Sequence, residues 1–208
     1  MSALYIKICG LQTPETVAAA VDTGANAIGF IFAPGSPRTI TAALAAELGR
    51  GVETGCGVET VGVFRNQPID EVLRTAQGAA VTTVQLHGDE SLKDMHRLRE
   101  EGFRTLRAFS AHAYSSLSPS ERQLWESERV LLDAVEPGAG VSFDTNMLAN
   151  GVPPGFWLLA GGLTPANVAG YANALRPSGV DVSSGVESSR GVKDAGLIRE
   201  FIEAARAA

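Results

Sequence analysis

Reactive side chains close several short apolar runs in this 208-residue sequence. Cys9 ends "LYIKIC", His87 ends "TTVQLH", Asp133 comes late in "RVLLDA", and Asp181 and Ser183 lie in "GVDVS". A thiol near pKa ~8.5 and a carboxyl near ~3.9 can act as proton acceptor and proton donor if their surroundings shift them towards neutrality. Taken singly, each has a plain structural reading. Cys9 is a small core residue, His87 before Gly88 bonds a loop carbonyl, Asp133 and Asp181 cap loops, and Lys7 is an inward cation paired with a carboxylate. Four such ends on one presumed face point instead to acid–base chemistry.

Two further stretches suit an anion. "LLAGGLTPANV" sets Gly161 and Gly162 after an apolar run, and "GVDVSSGVE" sets Ser183 and Ser184 before Gly185. Glycine lets backbone N–H groups approach a phosphate closely, and serine adds hydroxyl donors. Either loop alone reads as a tight turn; the two together predict a phosphate cradle.

The elements that must position these residues alternate along the chain. Val/Ile/Leu/Phe-rich runs at 4–9, 26–33, 58–64, 82–87, 104–109, 129–134, 156–160 and 179–183 read as strands. Helical segments are expected near 14–24, 39–49, 68–77, 90–101, 119–127, 164–176 and 193–207, with a weak one at 143–149. Thr13, Thr39 and Thr41, Asp89, Ser118 and Thr164 are their capping candidates. Eight such units predict an α/β fold, a single-domain (βα)8 TIM barrel over residues 1–208. A doubly wound open sheet competes, but no Gly-x-Gly-x-x-Gly follows the first strand. Alternation puts Lys7 and Cys9 on one face and Ile6 and Ile8 on the other. It likewise separates Gln85 and His87 from Val84 and Leu86, and Asp181 and Ser183 from Val180 and Val182.

Composition narrows the partners. Seventeen Lys and Arg against 23 Asp and Glu give a net charge of −6, with no basic stripe to fit a nucleic acid. No apolar run is long enough to span a membrane, and the first residues lack a secretory pattern, so a cytoplasmic location is expected. There Cys9 and Cys56 are expected as free thiols, Cys56 in "TGCGV" being a bystander. Three histidines, two of them on helix or loop, do not make a metal cluster.

The motifs "KICG" (7–10), "GFIFAPGSPR" (29–38), "VGVF" (61–64), "VQLHG" (84–88), "LLD" (131–133), "LAGGLTPANV" (159–168), "GVDVSSGVE" and "GVKD" (179–194) occur in an order that resembles the phosphoribosylanthranilate isomerase family of tryptophan biosynthesis. The resemblance runs along almost the whole chain. It departs at 136–146, where Ala139 stands for the family's hydroxyl residue and Thr145 for its tryptophan, while Phe143 and Asp144 remain. It implies a (βα)8 barrel and an Amadori rearrangement of a small phosphorylated substrate carrying an anthranilate group, without cofactor or metal. It also implies Cys9 as general base, Asp133 as general acid, Arg38 on the anthranilate carboxylate, and His87 and Asp181 lining the pocket. A monomer and a homodimer both remain open.

That chemistry sets two expectations. The Cys9 thiol should ionise more readily than usual, helped by Lys7, and burial beside Leu131 and Leu132 should keep Asp133 protonated. The rival readings are another phosphate-binding barrel, such as a pentose-phosphate epimerase or indole-glycerol-phosphate synthase, and a non-catalytic barrel that binds phosphorylated ligands.

Overall fold

In a computed structural model, which describes residues 4–50, 52, 57–133 and 151–208, eight parallel strands close into a barrel in sequence order. They are β1 (Tyr5–Cys9), β2 (Ala27–Ile31), β3 (Glu59–Phe64), β4 (Thr83–Leu86), β5 (Arg104–Ser110), β6 (Val130–Asp133), β7 (Trp157–Ala160) and β8 (Gly179–Val182). The last strand returns to the first, pairing Tyr5 with Gly179 and Lys7 with Asp181. Every expected strand is present; β5 runs one residue further than expected, to Ser110, and the others are one or two residues shorter at an end where pairing gives way to turns.

Around the barrel run α1 (Pro14–Asp22), α2 (Ala42–Gly49), α3 (Ile69–Gly78), α4 (Leu92–Glu100), α5 (Ala111–Ser116), α6 (Pro119–Leu124), α7 (Val168–Leu175) and α8 (Ala195–Arg206). Thr13, Thr41 and Ser118 cap α1, α2 and α6 through their side chains, as expected. Other expected caps differ. Thr39 donates instead to the Ala33 carbonyl, and α4 begins from Ser91, whose capping box with Asp94 supersedes Asp89. Helix α7 starts at Val168 rather than after Thr164, because the Asn167 side chain accepts from Thr164 N and donates to Gly162 O, holding 162–167 as a turn. The one-turn helix α5, capped by Ser110, has no counterpart among the expected elements; its Ser-rich sequence carries little helical period. A hairpin of β9 (Glu187–Ser189) and β10 (Val192–Lys193) was likewise unforeseen. The weak helix expected at 143–149, and Cys56, lie outside the described residues.

The alternation sorts the strands as expected. Ile6, Ile8, Val84, Leu86, Leu132, Val180 and Val182 join the large apolar layer between barrel and helices, while Leu106, Ala108, Leu131 and Leu158 form a smaller cluster of their own. At the N-terminal end of the barrel, buried Glu59 binds Arg129 through both oxygens (2.7 and 3.0 Å) and accepts from Tyr5 and Thr83. Burial would raise the Glu59 pKa, but the Arg129 hydrogen bonds and charge and the two hydroxyls outweigh it and bring it to about 2. Arg129 in turn lies over the rings of Tyr5 and Phe156. This end of the barrel is closed by a satisfied ionic plug, and the strand ends at the other rim carry the reactive groups.

Candidate active site

Midway along β1, Lys7 is wholly buried, and its Nζ donates to Asp181 Oδ1 on β8 at 2.8 Å. The structural ion pair considered from sequence therefore exists. It also adjoins the thiol: a Cβ on Gly29 of β2 would stand 2.9 Å from Cys9 Sγ and 3.3 Å from Lys7 Nζ, so the strand leaves room for both groups only because it lacks a side chain there. Burial would lower the Lys7 pKa, but Asp181 and Cys9 hold its ammonium charged and raise it. For Cys9 burial is the largest influence and pushes the thiol up; Lys7 and Lys193 pull it down, and Asp181 adds to the rise. The net direction is upward, which corrects the expectation of a readily ionised thiol. A buried sulfur with a carboxylate nearby loses more hydration than one fully engaged lysine returns.

Strands β4 and β6 bring His87 and Asp133 together. His87 Nε2 lies 3.6 Å from Asp133 Oδ2, and His87 Nδ1 lies 3.1 Å from Gln85 Nε2, the amide donating to the ring. Ring and carboxylate are each partly exposed at the rim. Of the two leucines expected to bury Asp133, only Leu131 shares its side of β6; Leu132 points into the outer layer, and the Asp133 side chain keeps a quarter of its exposure. The turn that carries His87 is tied down from below. Arg107 on β5 donates to the carbonyls of Leu86, Ala108 and Gly88 at 3.0, 2.8 and 2.7 Å, and Glu90 accepts from Gly88 N at 2.7 Å.

A third group gathers above β1. Gly10 follows Cys9 with φ +80°, and a Cβ there would stand 2.9 Å from Arg38 Cδ and 3.3 Å from Ser183 Oγ. Arg38 thus lies across the end of β1 beside the first residue of the β8 loop. Its Nε and Nη2 donate to the two oxygens of Glu187 at 2.5 and 2.8 Å. Lys193 Nζ binds the same carboxylate at 2.6 Å and also reaches Ser183 O at 2.8 Å and Ser183 Oγ at 3.2 Å.

Beside this group are the glycine loops. Gly161 and Gly162 have φ +89° and +65°, a left-handed pair that residues with side chains rarely adopt. Gly185, in the 3-10 turn Ser184–Val186, packs so closely on the Leu163 carbonyl that a Cβ would meet it at 1.7 Å. The loops after β7 and β8 are therefore pressed into one surface, with Gly162 and Ser184 exposed on it.

The family model described as N-(5'-phosphoribosyl)anthranilate (PRA) isomerase matches residues 6–204. The chain belongs to the phosphoribosylanthranilate isomerase family. It is 40% identical over 204 residues to the N-(5'-phosphoribosyl)anthranilate isomerase of Deinococcus radiodurans, covering 97% of this chain and 96% of that one. Its fold is similar to the crystal structure of TrpF from Jonesia denitrificans, with a TM-score of 0.85 and 42% identity over 99% of this chain and 98% of the other. It is also similar, at TM-score 0.80 and 32% identity over 99% of this chain and all of the other, to a phosphoribosyl anthranilate isomerase in complex with reduced 1-(o-carboxyphenylamino)-1-deoxyribulose 5-phosphate.

Within this isomerase barrel the expected site residues fall into three groups at one rim: Cys9 with Lys7 and Asp181, His87 with Asp133, and Arg38 with Ser183. Gly161, Gly162 and Ser184 stand in the adjoining loops. Sequence reasoning placed no role on Glu187 and Lys193. Their signal was available in "GVESSRGVKD", where opposite charges stand across a Ser-Arg-Gly turn, the pattern of a cross-strand pair.

Proposed function

We propose that the rim is the site of the family's isomerisation, with N-(5-phosphoribosyl)anthranilate, an aminoaldose, as substrate and 1-(2-carboxyphenylamino)-1-deoxyribulose 5-phosphate, an aminoketose, as product. The observation that carries this reading is the convergence of a buried thiol, a rim carboxylate, an arginine and a two-loop glycine–serine surface on the C-terminal ends of the strands, where barrel enzymes keep their chemistry.

Asp133 gives its proton to the furanose ring oxygen as the C1′–O bond breaks, and the nitrogen lone pair forms the iminium. The cationic nitrogen acidifies the hydrogen on C2′, which Cys9 as thiolate removes. The electron pair of that C–H bond becomes the C1′–C2′ double bond of an enolamine. C1′ then takes up a proton as the C2′ hydroxyl releases one, leaving the ketone. Oxidation at C2′ and reduction at C1′ cancel within the substrate.

The raised thiol fits this sequence. The iminium brings a positive charge beside a sulfur already facing Lys7 and Lys193, and it favours the thiolate at the step that needs it. Arg38 meets the anthranilate carboxylate and the loops after β7 and β8 take the 5′-phosphate, so the sugar is held between acid and base. His87 and Asp181 line the pocket, His87 beside the acid and Asp181 behind the lysine that faces the base. The whole chain, residues 1–208, acts as one domain, and a cytoplasmic setting suits a thiol in this role.

The test is the fluorescence of the anthranilate adduct, generated in situ and followed after addition of protein. Its decay to the aminoketose at a rate proportional to enzyme is expected; an unchanged signal would overturn the reading. A non-catalytic barrel would bind the product yet leave that signal untouched.

A further inference from the structure

We propose that Glu187 and Lys193 are positioning residues that hold the carboxylate anchor Arg38 and the phosphate-loop residue Ser183 in one fixed frame, setting the span between the two charged ends of the substrate. This inference rests on the reading of Arg38 as the partner of the anthranilate carboxylate.

A guanidinium has two edges able to bind a carboxylate side-on, Nε with Nη2 and Nη1 with Nη2. Glu187 takes the first through both its oxygens. That contact turns the second edge in a fixed direction for the substrate. The Glu187 carboxylate is itself held from three sides, by Arg38, by Lys193 at 2.6 Å and by Gly191 N at 2.9 Å, and its side chain keeps only 4% of its exposure. Burial would push Glu187 up, yet hydrogen bonds from Arg38, Lys193 and Gly191 bring it to about 2, so it stays ionised at working pH.

Lys193 carries the frame onward. Its ammonium, 2% exposed, binds Ser183 through carbonyl and hydroxyl at 2.8 and 3.2 Å, directly after β8. Gly10 completes the arrangement from beneath, too close to Arg38 Cδ and Ser183 Oγ to admit a side chain. Lys193 adds a second effect, because its charge favours the Cys9 thiolate. The hairpin of β9 and β10 thus presents one acidic and one basic side chain, paired across its strands, to Arg38 and Ser183.

The test compares two substrates, the anthranilate adduct and the phosphoribosyl adduct of aniline, which lacks the carboxylate, with turnover followed by chromatography. For Glu187→Gln, KM for the anthranilate adduct should rise about tenfold or more, while KM for the aniline adduct, which senses only the Ser183 end of the frame, should rise much less, so the preference between them falls. Equal losses on both substrates would overturn the inference, since a merely structural role has no reason to sense the carboxylate. Arg38→Met separates the two layers of the argument. If it keeps the preference, the carboxylate reading of Arg38 falls and this inference with it; if it loses the preference while Glu187→Gln keeps it, the inference alone falls. Should Glu187→Gln be recovered unfolded, Glu187→Asp, which retains the charge at a shorter reach, is measured against the same outcomes.

Discussion

Lys7 and Asp181 face each other from β1 and β8 at the same level of the barrel, 174 residues apart in sequence and 2.8 Å apart in space. The lysine is out of contact with solvent, so its charge is balanced by the aspartate.

Removing one member of such a pair leaves an uncompensated buried charge, and Lys7→Met should cost about 3–5 kcal/mol in denaturant unfolding. The double variant Lys7→Met/Asp181→Leu should regain most of that stability, because two apolar side chains replace two charges. It should remain poorly active, having lost the cation beside Cys9. Activity that returned together with stability would show the pair to be structural only.

Cys9→Ala and Asp133→Ala should each lower turnover by about 10²-fold or more with unfolding midpoints near that of the parent. The pH profile separates their roles. A thiolate base becomes available as pH rises, and burial moves Cys9 upward, so kcat/KM should climb along a limb with an apparent pKa above the ordinary thiol value of ~8.5. That limb should vanish in Cys9→Ala. A limb centred well below the ordinary thiol value would assign it to another group.

Gly29→Ala should damage the site without touching a polar group. Its methyl would stand 2.9 Å from Cys9 Sγ and 3.3 Å from Lys7 Nζ, closer than the packed barrel allows, so one of the two must shift. A fall in kcat with a modest fall in stability is expected, checked by steady-state kinetics beside thermal unfolding. Parent-like kcat would mean that the sulfur and ammonium move freely, contrary to their packing.

The ionic plug at the opposite end governs acid stability. Glu59 titrates at about 2 in the folded protein against 4.5 when exposed, so its contribution is complete above pH ~5 and is lost as pH falls towards 2. The difference corresponds to about 3 kcal/mol. Glu187, also depressed to about 2, loses its contribution in the same direction. Glu59→Gln should flatten the acid side of the stability profile measured by urea unfolding between pH 3 and 6. A profile as steep as the parent's would place the acid sensitivity elsewhere.

The barrel was legible in the sequence because alternation along parallel strands writes burial directly into residue order: Ile6 and Ile8 face the helices, and Lys7 and Cys9 turn away from them. The inward cation with a carboxylate partner could be read from the same pattern. What escaped depended on contacts between distant segments. Nothing local in "GSPR" tells that Arg38 is met by Glu187, 149 residues later. Helix α5 escaped because six residues held by one cap carry no period. The sign of the Cys9 shift escaped because it is a balance among burial, Lys7, Asp181 and Lys193, and only coordinates weigh those against one another.

The seam between β1 and β8 has a temporal meaning as well. The thiol, its lysine and the aspartate behind that lysine come from the two ends of the strand order, and the contact joining them spans nearly the whole chain. Contacts of such sequence separation carry the largest loop-closure cost. During refolding the helices and neighbouring strands can assemble locally, but the chemistry waits on the final stave of the barrel. Recovered turnover therefore serves as a clock for closure, and it should lag behind the return of helical signal.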